Sequence, residues 1–218
     1  ITPISRIFYE AFRCSPRRIK HSVIPARELT GSRDLKGIFS ETKCHLTFSE
    51  GEKLEAKRII REIGCDRLDS IVCLVTRDHT YLEKYEFGRD WSYHNFRDTK
   101  IDDYTLAAKM LADKGYWVFR MGKSVAENFR VKHRRIIDYA CSGFRSDLLD
   151  VWLMANCAFG ISTGVGLDSI SDIFRRPIVY VNYLPLIDMV SWNASITVPK
   201  LLRWRKDREL LTIEEHFN

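Results

Sequence analysis

The chain has 218 residues, of which 45% are hydrophobic and 29% are charged, a composition typical of an ordinary globular protein. It holds no run of about 18 apolar residues, so we predict no transmembrane helix. Its first residues lack a hydrophobic segment followed by a small-residue cleavage site, so they do not resemble a signal peptide.

The formal net charge is +6, with basic clusters at "RCSPRRIKH" and "KLLRWRKDR". This charge fits either a solvated basic surface or an anionic partner such as a nucleotide diphosphate, an anionic membrane or nucleic acid. Nucleic acid is the weakest of these, and we predict no such partner. The sequence has no RNP1-like segment, zinc finger or long basic helix.

The six cysteines include no C-x-x-C pair, which argues against a metal or redox pair and favours a reduced, cytoplasmic setting. Cys73 lies within an apolar run and Cys157 next to one. We therefore expect both thiols to be buried as small hydrophobic groups.

The first ordered element is predicted in "FSEGEKLEAKRIIREIGC", where Ser49 and Glu52 have the spacing of a capping box. Gly64 is the predicted end of this helix. A continuous apolar run over residues 70–75 predicts a strand buried on both faces. A polar, aromatic loop follows, and Asp102 or Asp103 is then expected to cap a second helix that ends at Gly115.

Strands and helices alternate through the rest of the domain. Strands are predicted in "YWVFRMG", "RIIDYA", "AFGIS" and "PIVYVN", and helices in "RSDLLDVWLMANC", capped by Ser146, and "LDSISDIF". This alternation predicts an α/β fold with a Rossmann-like, doubly wound parallel sheet. We divide the chain into residues 1–48, a linker or remnant of an N-terminal domain, residues 49–200, the Rossmann-like domain, and residues 201–218, a C-terminal basic segment.

In open α/β sheets, ligands bind beyond the carboxyl ends of the strands. Basic and hydroxyl groups are expected to converge there. The candidate binding residues are Arg77, Arg97, Arg120, Ser162, Thr163, Gly164, Gly166, Asp168 and Asn182.

The loop "STGVG" has the composition of a phosphate-binding turn. Glycines let the backbone approach an anion, and the helix that follows directs free N–H groups toward it. The loop is neither a Walker A motif nor a complete G-x-G-x-x-G fingerprint. A plain strand-to-helix turn, capped by Ser162 or Thr163, is the alternative.

The catalytic candidates are Asp78 and His94. His94 lies in the aromatic segment "WSYHNFRD", where it could act as a general base, lie beside a stacked sugar or simply pack. The pairs Arg77-Asp78 and Arg97-Asp98 could equally be local ion pairs. No metal-ligand spacing and no G-x-S-x-G nucleophile motif is present. We predict no metal site and no cofactor.

Taken together, "VCLVTRD", "YHNFRDTKIDDYTLAAKMLADKGYWVFRMG", "RSDLLDVWLMANCAFGISTGVGLDSISDIFRRPIVYVNYLP" and "LLTIEE" resemble a family of bacterial glycosyltransferases associated with surface-carbohydrate loci. The resemblance covers roughly residues 46–215. It implies a GT-B architecture, in which this chain is the C-terminal portion that holds a nucleotide-sugar. The acceptor would bind across a cleft on another domain.

On this resemblance, Ser162, Thr163, Gly164 and Gly166 would meet the pyrophosphate, and Arg77 and Arg120 would offset its charge without a metal. The implied acceptor is a surface glycan or lipid-linked sugar, and the basic clusters would favour work at the anionic inner face of a membrane. The alternatives are a polysaccharide pyruvyl transferase and a non-catalytic nucleotide- or carbohydrate-binding module. An oxidoreductase is more distant, given the incomplete glycine fingerprint.

Overall fold

The structure is a computed structural model that describes residues 38–86, 88, 90–189 and 195–216. Its strands are β1 (Ile71–Val75), β2 (Trp117–Met121), β3 (Ile136–Ile137), β4 (Phe159–Ser162), β5 (Ile178–Tyr183) and β6 (Ser195–Pro199). Its α-helices are α1 (Ile38–Glu41), α2 (Glu50–Glu62), α3 (Thr80–Tyr85), α4 (Thr105–Asp113), α5 (Asp147–Asn156) and α6 (Ser169–Ile173).

The strands form one six-stranded parallel sheet in the order β3-β2-β1-β4-β5-β6. The chain builds outward from β1 to β3, then returns to place β4 on the other side of β1. This is a Rossmann-like order, and the predicted fold class is confirmed. The order reverses between β1 and β4, so a crevice is expected beyond the carboxyl ends of these two strands.

Helices cover both faces of the central strands. On one face, α2 and α5 pack against β1 and β2 in a core that includes Ile60, Cys73, Phe119 and Leu153. On the other face, α4 packs over Leu74. All five side chains of β1 are buried, as predicted for a strand inside a parallel sheet. Both Cys73 and Cys157 are buried, as expected.

The predicted helix caps are confirmed at two helices. At α2, Glu52 N donates to Ser49 Oγ, and Ser49 N donates to the Glu52 carboxylate over 2.7 Å. Gly64 follows α2 with a φ of 96°, a left-handed conformation that favours glycine. At α5, Leu149 N donates to Ser146 Oγ over 3.1 Å.

The predicted cap of α4 is wrong. A 3₁₀ turn over Ile101–Tyr104 precedes the helix, and Thr105 N donates to the carbonyl oxygen of Asp102. The N-cap of α4 is Tyr104, without a side-chain capping bond. The turn supplies backbone partners at this end of the helix, so neither Asp102 nor Asp103 caps it.

Among the described residues, three strands and helices add to the predicted set, and the first is the short helix α1. The loop after β1 contains α3, and β6 extends the sheet beyond "PIVYVN". Lys200 follows β6, and its Nζ donates to the carbonyl oxygens of Phe96, over 2.8 Å, and Asp98, over 3.1 Å. The last strand therefore holds the segment that carries Arg97. The first 37 residues, including the cluster "RCSPRRIKH", lie outside the described residues.

Candidate functional site

A cavity of about 600 Å³ opens at the carboxyl ends of β1 and β4, where the strand order reverses. In open α/β sheets this is the position at which ligands bind. The lining residues include four basic side chains, Arg77, Arg97, Lys123 and Arg145, and the backbone of Gly164 and Gly166. The cavity therefore combines positive charge with a glycine-containing loop.

The loop after β4 is held by a buried carboxylate. Asp168 Oδ2 accepts from Ser162 Oγ over 2.6 Å and from Val165 N over 2.8 Å. Ser162 Oγ in turn accepts from Gly164 N over 3.1 Å. Burial raises the pKa of Asp168 to about 6, although the bonds from Ser162 and Val165 oppose this shift. Ser162 and Asp168 thus shape the loop from beneath.

The Thr163 side chain also bonds to another part of the protein. Its side chain is 1% exposed, and its Oγ1 accepts from Arg77 N over 2.8 Å. Thr163 N donates to the carbonyl oxygen of Val75. The hydroxyl therefore joins the end of β4 to the end of β1. The sequence left open whether Ser162 and Thr163 contact a ligand or support the turn, and their hydrogen bonds favour support.

Arg97 fixes the glycine loop from the cavity side. Its Nη2 donates to the carbonyl oxygen of Gly164 over 2.6 Å. Gly164 has a φ of 78°, and a Cβ added there would approach the ring of Tyr183 to 2.8 Å. Both the backbone conformation and the close approach of Tyr183 therefore require glycine at this position. The aromatic ring and the arginine together leave the loop little freedom.

Arg77 is mostly enclosed, and its Nε lies 3.2 Å from Asp98 Oδ1. Burial lowers the pKa of Arg77, and the charge of Arg97 lowers it further. Burial raises the pKa of Asp98, against the effect of Arg77. Asp98 also lies 3.7 Å from His79 Nδ1. Both arginines line the cavity, so they add two positive charges to it, one of which is partly offset by Asp98.

The opposite wall of the cavity carries Lys123 and Arg145. Arg145 Nη2 donates to Asp147 over 2.5 Å and to Asp150 Oδ2 over 2.6 Å. Lys123 Nζ lies 3.7 Å from Asp147, and its side chain is 40% exposed. Burial raises the pKa of Asp150, against the effect of Arg145. Within the described residues, Asp150 Oδ1 is buried without a hydrogen-bond partner.

The two catalytic candidates occupy different places. Asp78 lines the cavity, but its Oδ1 accepts from Thr80 N and its Oδ2 from Ala126 N, each over 3.0 Å. These bonds tie the start of α3 to the loop after β2. His94 does not line the cavity, and its ring lies 4.0 Å from the ring of Tyr93 between centroids. The structure does not bring Asp78 and His94 together at one reacting atom.

Two binding candidates lie away from the cavity. Arg120 is 1% exposed, and its guanidinium donates to Asp138 Oδ1 over 3.1 Å and to the carbonyl oxygen of Glu127 over 3.0 Å. Asn182 lies inside β5 with a φ of 51° and donates to Tyr104 Oη. Arg120 Nη1 and Nη2 are directed to protein groups beneath the surface, which favours a structural role, and a contact with a ligand stays a prediction.

The cavity also includes residues that the sequence did not single out, chiefly Lys123, Arg145 and Asp150. Lys123 lies two residues after the end of β2, so its position after a strand was a usable signal. Arg145 precedes the cap of α5, and Asp150 lies in its first turn, where an acidic residue is common for reasons of helix polarity alone. Only the packing of α5 against β1 and the turn after β4 brings them to the site.

Within the described residues, no helix is long and apolar enough to cross a membrane. The same residues contain no group of three or more His, Cys, Asp or Glu side chains arranged to hold a metal ion.

The fold and the cavity define a Rossmann-like domain with a ligand crevice at its switch point. No protein-family profile matches the sequence, and no curated protein matches it. Among solved structures, the chain is similar to the glycosyl transferase family 9 protein from Veillonella parvula, with a TM-score of 0.52 and 13% sequence identity. The match covers 71% of this chain and 42% of that protein, so this chain spans less than half of its length.

Proposed function

We propose that this chain is the donor-binding portion of a glycosyltransferase of the GT-B type, which holds a nucleotide-sugar by its diphosphate. The observation that carries the proposal is the glycine loop of residues 164–166, which lines a cavity with four basic side chains where the strand order reverses. The likeness to a glycosyltransferase structure supports the same class at the level of the fold.

The diphosphate would lie between the glycine loop and the basic side chains. Arg77 and Arg97 are held rigidly, so they offer charge at fixed positions, whereas Lys123 is exposed and can move to meet the ligand. As the sugar departs, negative charge builds on the diphosphate, and preorganised cations stabilise that charge. We propose that these side chains serve in place of a metal ion.

Asp78 has a positioning role in this proposal, because both of its oxygens accept backbone N–H groups that shape the cavity wall. His94 lies in a short turn that also carries Arg97, so it remains a candidate base only if an acceptor reaches that turn. The acceptor, a surface glycan or lipid-linked sugar, would approach from a second domain, as in other two-domain transferases of this fold.

The C-terminal basic segment supports a peripheral contact with an anionic membrane, which would place the protein in the cytoplasm at the inner membrane. Arg205, Lys206 and Arg208 are exposed on a turn closed by an antiparallel bridge between Arg203 and Leu210. Co-sedimentation with phosphatidylglycerol vesicles should fall when Arg205 and Lys206 are both changed to Ala. Equal binding to neutral phosphatidylcholine vesicles would contradict this contact.

Calorimetric titration of the native chain with UDP, GDP, ADP and CMP, and with their sugar conjugates, tests the donor proposal. We expect at least one nucleotide to bind, and Lys123→Ala to weaken it about tenfold through the loss of one ion pair with phosphate. Arg58→Ala is the matched control, since Arg58 forms an exposed ion pair on α2. If phosphoenolpyruvate binds and none of the nucleotides does, the result would instead indicate a pyruvyl transferase.

A further inference from the structure

Two tyrosines project from α3 beside the cavity. Tyr81 and Tyr85 are one helical turn apart, and their ring centroids lie 5.0 Å from each other. Their exposed fractions are 44% and 39%. No residue of α3 is buried, so the rings are not part of the hydrophobic core. Large aromatic rings held together at a cavity rim mark a surface for contact with a ligand.

The tyrosine pair is continuous with the proposed donor site. Tyr81 lines the same cavity as the glycine loop. Lys123 Nζ lies 5.3 Å from the centroid of the Tyr85 ring and 3.7 Å from Asp147 Oδ1. One ammonium group therefore connects the aromatic pair on α3 with the polar wall of α5.

The cavity offers apolar surface from two separate sources. One is aliphatic and comes from α5, α6 and the loop between β4 and α6, through Val151, Leu167 and Ile170. The other comes from α3, where the aromatic ring of Tyr81 lies next in sequence to Leu82. A nucleotide-sugar likewise has two ring systems, a base and a pyranose, joined by a diphosphate. The basic side chains of the cavity would bind the diphosphate, so each apolar surface is available to one of the two rings.

The two surfaces suit different rings. A nucleobase is flat and loses water from its faces when it binds, which a wall of aliphatic side chains favours. A pyranose has one C–H face that stacks on an aromatic ring, while its hydroxyl groups stay hydrogen-bonded around the edge. Exposed tyrosines beside the charged groups of Lys123 and Asp147 match that second requirement.

We propose that Tyr81 and Tyr85 form the subsite for the glycosyl ring of the donor. The C–H face of the sugar lies against the Tyr81 ring, its hydroxyl groups donate to Asp147, and Lys123 Nζ donates to a hydroxyl oxygen. This inference rests on the proposed donor-binding function and adds the residues that contact the sugar of the donor, as distinct from its nucleotide.

The test compares each nucleoside diphosphate with its sugar conjugate, using UDP and UDP-glucose, GDP and GDP-mannose, and ADP and ADP-glucose, by calorimetric titration. The proteins are the native chain, Tyr81→Ala, Tyr81→Phe, Tyr85→Ala and the control Tyr93→Ala. Tyr93 is also exposed but lies outside the cavity. Circular dichroism confirms that each variant is folded before titration.

We expect at least one sugar conjugate to bind the native chain about fivefold more tightly than its nucleoside diphosphate, the gain typical of one stacked ring. Tyr81→Ala should remove that advantage and leave the affinity for the nucleoside diphosphate within about twofold of the native value. Tyr85→Ala should reduce the advantage of the sugar conjugate. Tyr81→Phe and Tyr93→Ala should keep this advantage.

Equal affinity of the native chain for both members of every pair would overturn the subsite, as would an equal loss for both members in Tyr81→Ala. Either result leaves the donor-binding function standing, because the nucleotide still binds. If no nucleotide and no conjugate binds the native chain, the proposed function is itself wrong, and the subsite is rejected with it.

Discussion

Arg97 Nη2 donates to the backbone carbonyl oxygen of Gly164 over 2.6 Å, so an arginine from one loop fixes the glycine turn of another. Since Arg97 also lines the cavity, it contributes both shape and charge. Arg97→Ala should therefore weaken nucleotide binding by about 2 kcal/mol, the cost of losing a charged hydrogen bond. Calorimetric titration measures this loss.

Arg97→Lys separates the two contributions, because it keeps the charge but loses the planar guanidinium. We expect an intermediate affinity for this variant. An affinity equal to that of the native chain in both variants would show that Arg97 has no part in binding.

Gly164 and Gly166 make a matched pair for a stability test. In Gly164→Ala, the alanine must adopt a left-handed conformation, and its Cβ clashes with the ring of Tyr183. We therefore expect a loss of about 2–4 kcal/mol in the free energy of unfolding. Gly166 has no atom within 4 Å of an added Cβ, so Gly166→Ala should be nearly neutral for stability. Urea unfolding compares the two variants, and equal losses would contradict the steric argument.

Asp168 should make stability depend on pH. Burial raises its pKa from 3.8 to about 6, so the folded state keeps the proton to a higher pH than the unfolded chain. The folded state is therefore favoured at low pH, and about 3 kcal/mol of this advantage is lost as pH rises from about 3.8 to about 6. Other carboxyl groups titrate in the same range, so the native chain needs a reference protein.

Asp168→Asn is that reference, because the amide oxygen can still accept from Ser162 and Val165. The difference in unfolding free energy between the native chain and this variant should fall as pH rises through this window. Urea unfolding at several pH values measures it. A difference that stays constant with pH would show that Asp168 titrates normally.

Arg120 is expected to act on stability. Its removal leaves Asp138 Oδ1 without its buried cation, so Arg120→Ala should lower the unfolding free energy by about 3–5 kcal/mol. The affinity of the folded variant for nucleotide should stay close to that of the native chain. Thermal unfolding measures the change in stability, and titration at low temperature measures the affinity for nucleotide. A variant with unchanged stability that no longer binds nucleotide would show that Arg120 acts in binding instead.

Periodicity along the chain was sufficient to predict five of the six strands of the sheet. Alternating apolar strands and capped helices led to a Rossmann-like fold, and the rule for parallel sheets directed attention to the carboxyl ends of the strands. The same reasoning missed α3, because its six residues bury no side chain and so carry no apolar pattern. It missed β6 because Ile196 and Val198 are exposed on an edge strand.

Side-chain direction was harder to predict. A hydroxyl in a glycine-rich turn can face a ligand or the turn itself, and only the position of Asp168 shows that Ser162 faces inward. Arg120 follows an apolar run, as a ligand-binding arginine would, yet its partner Asp138 comes to it through the pairing of β2 with β3. Such contacts depend on packing between distant segments.

The bonds from Lys200 to the carbonyl oxygens of Phe96 and Asp98 span more than a hundred positions of sequence. During synthesis, the turn that carries Arg97 leaves the ribosome long before the residue that holds it. At about 5–20 residues per second, that interval lasts several seconds. The crevice is therefore completed only when β6 joins the sheet, and a nascent chain that ends before Lys200 would carry an unfinished site.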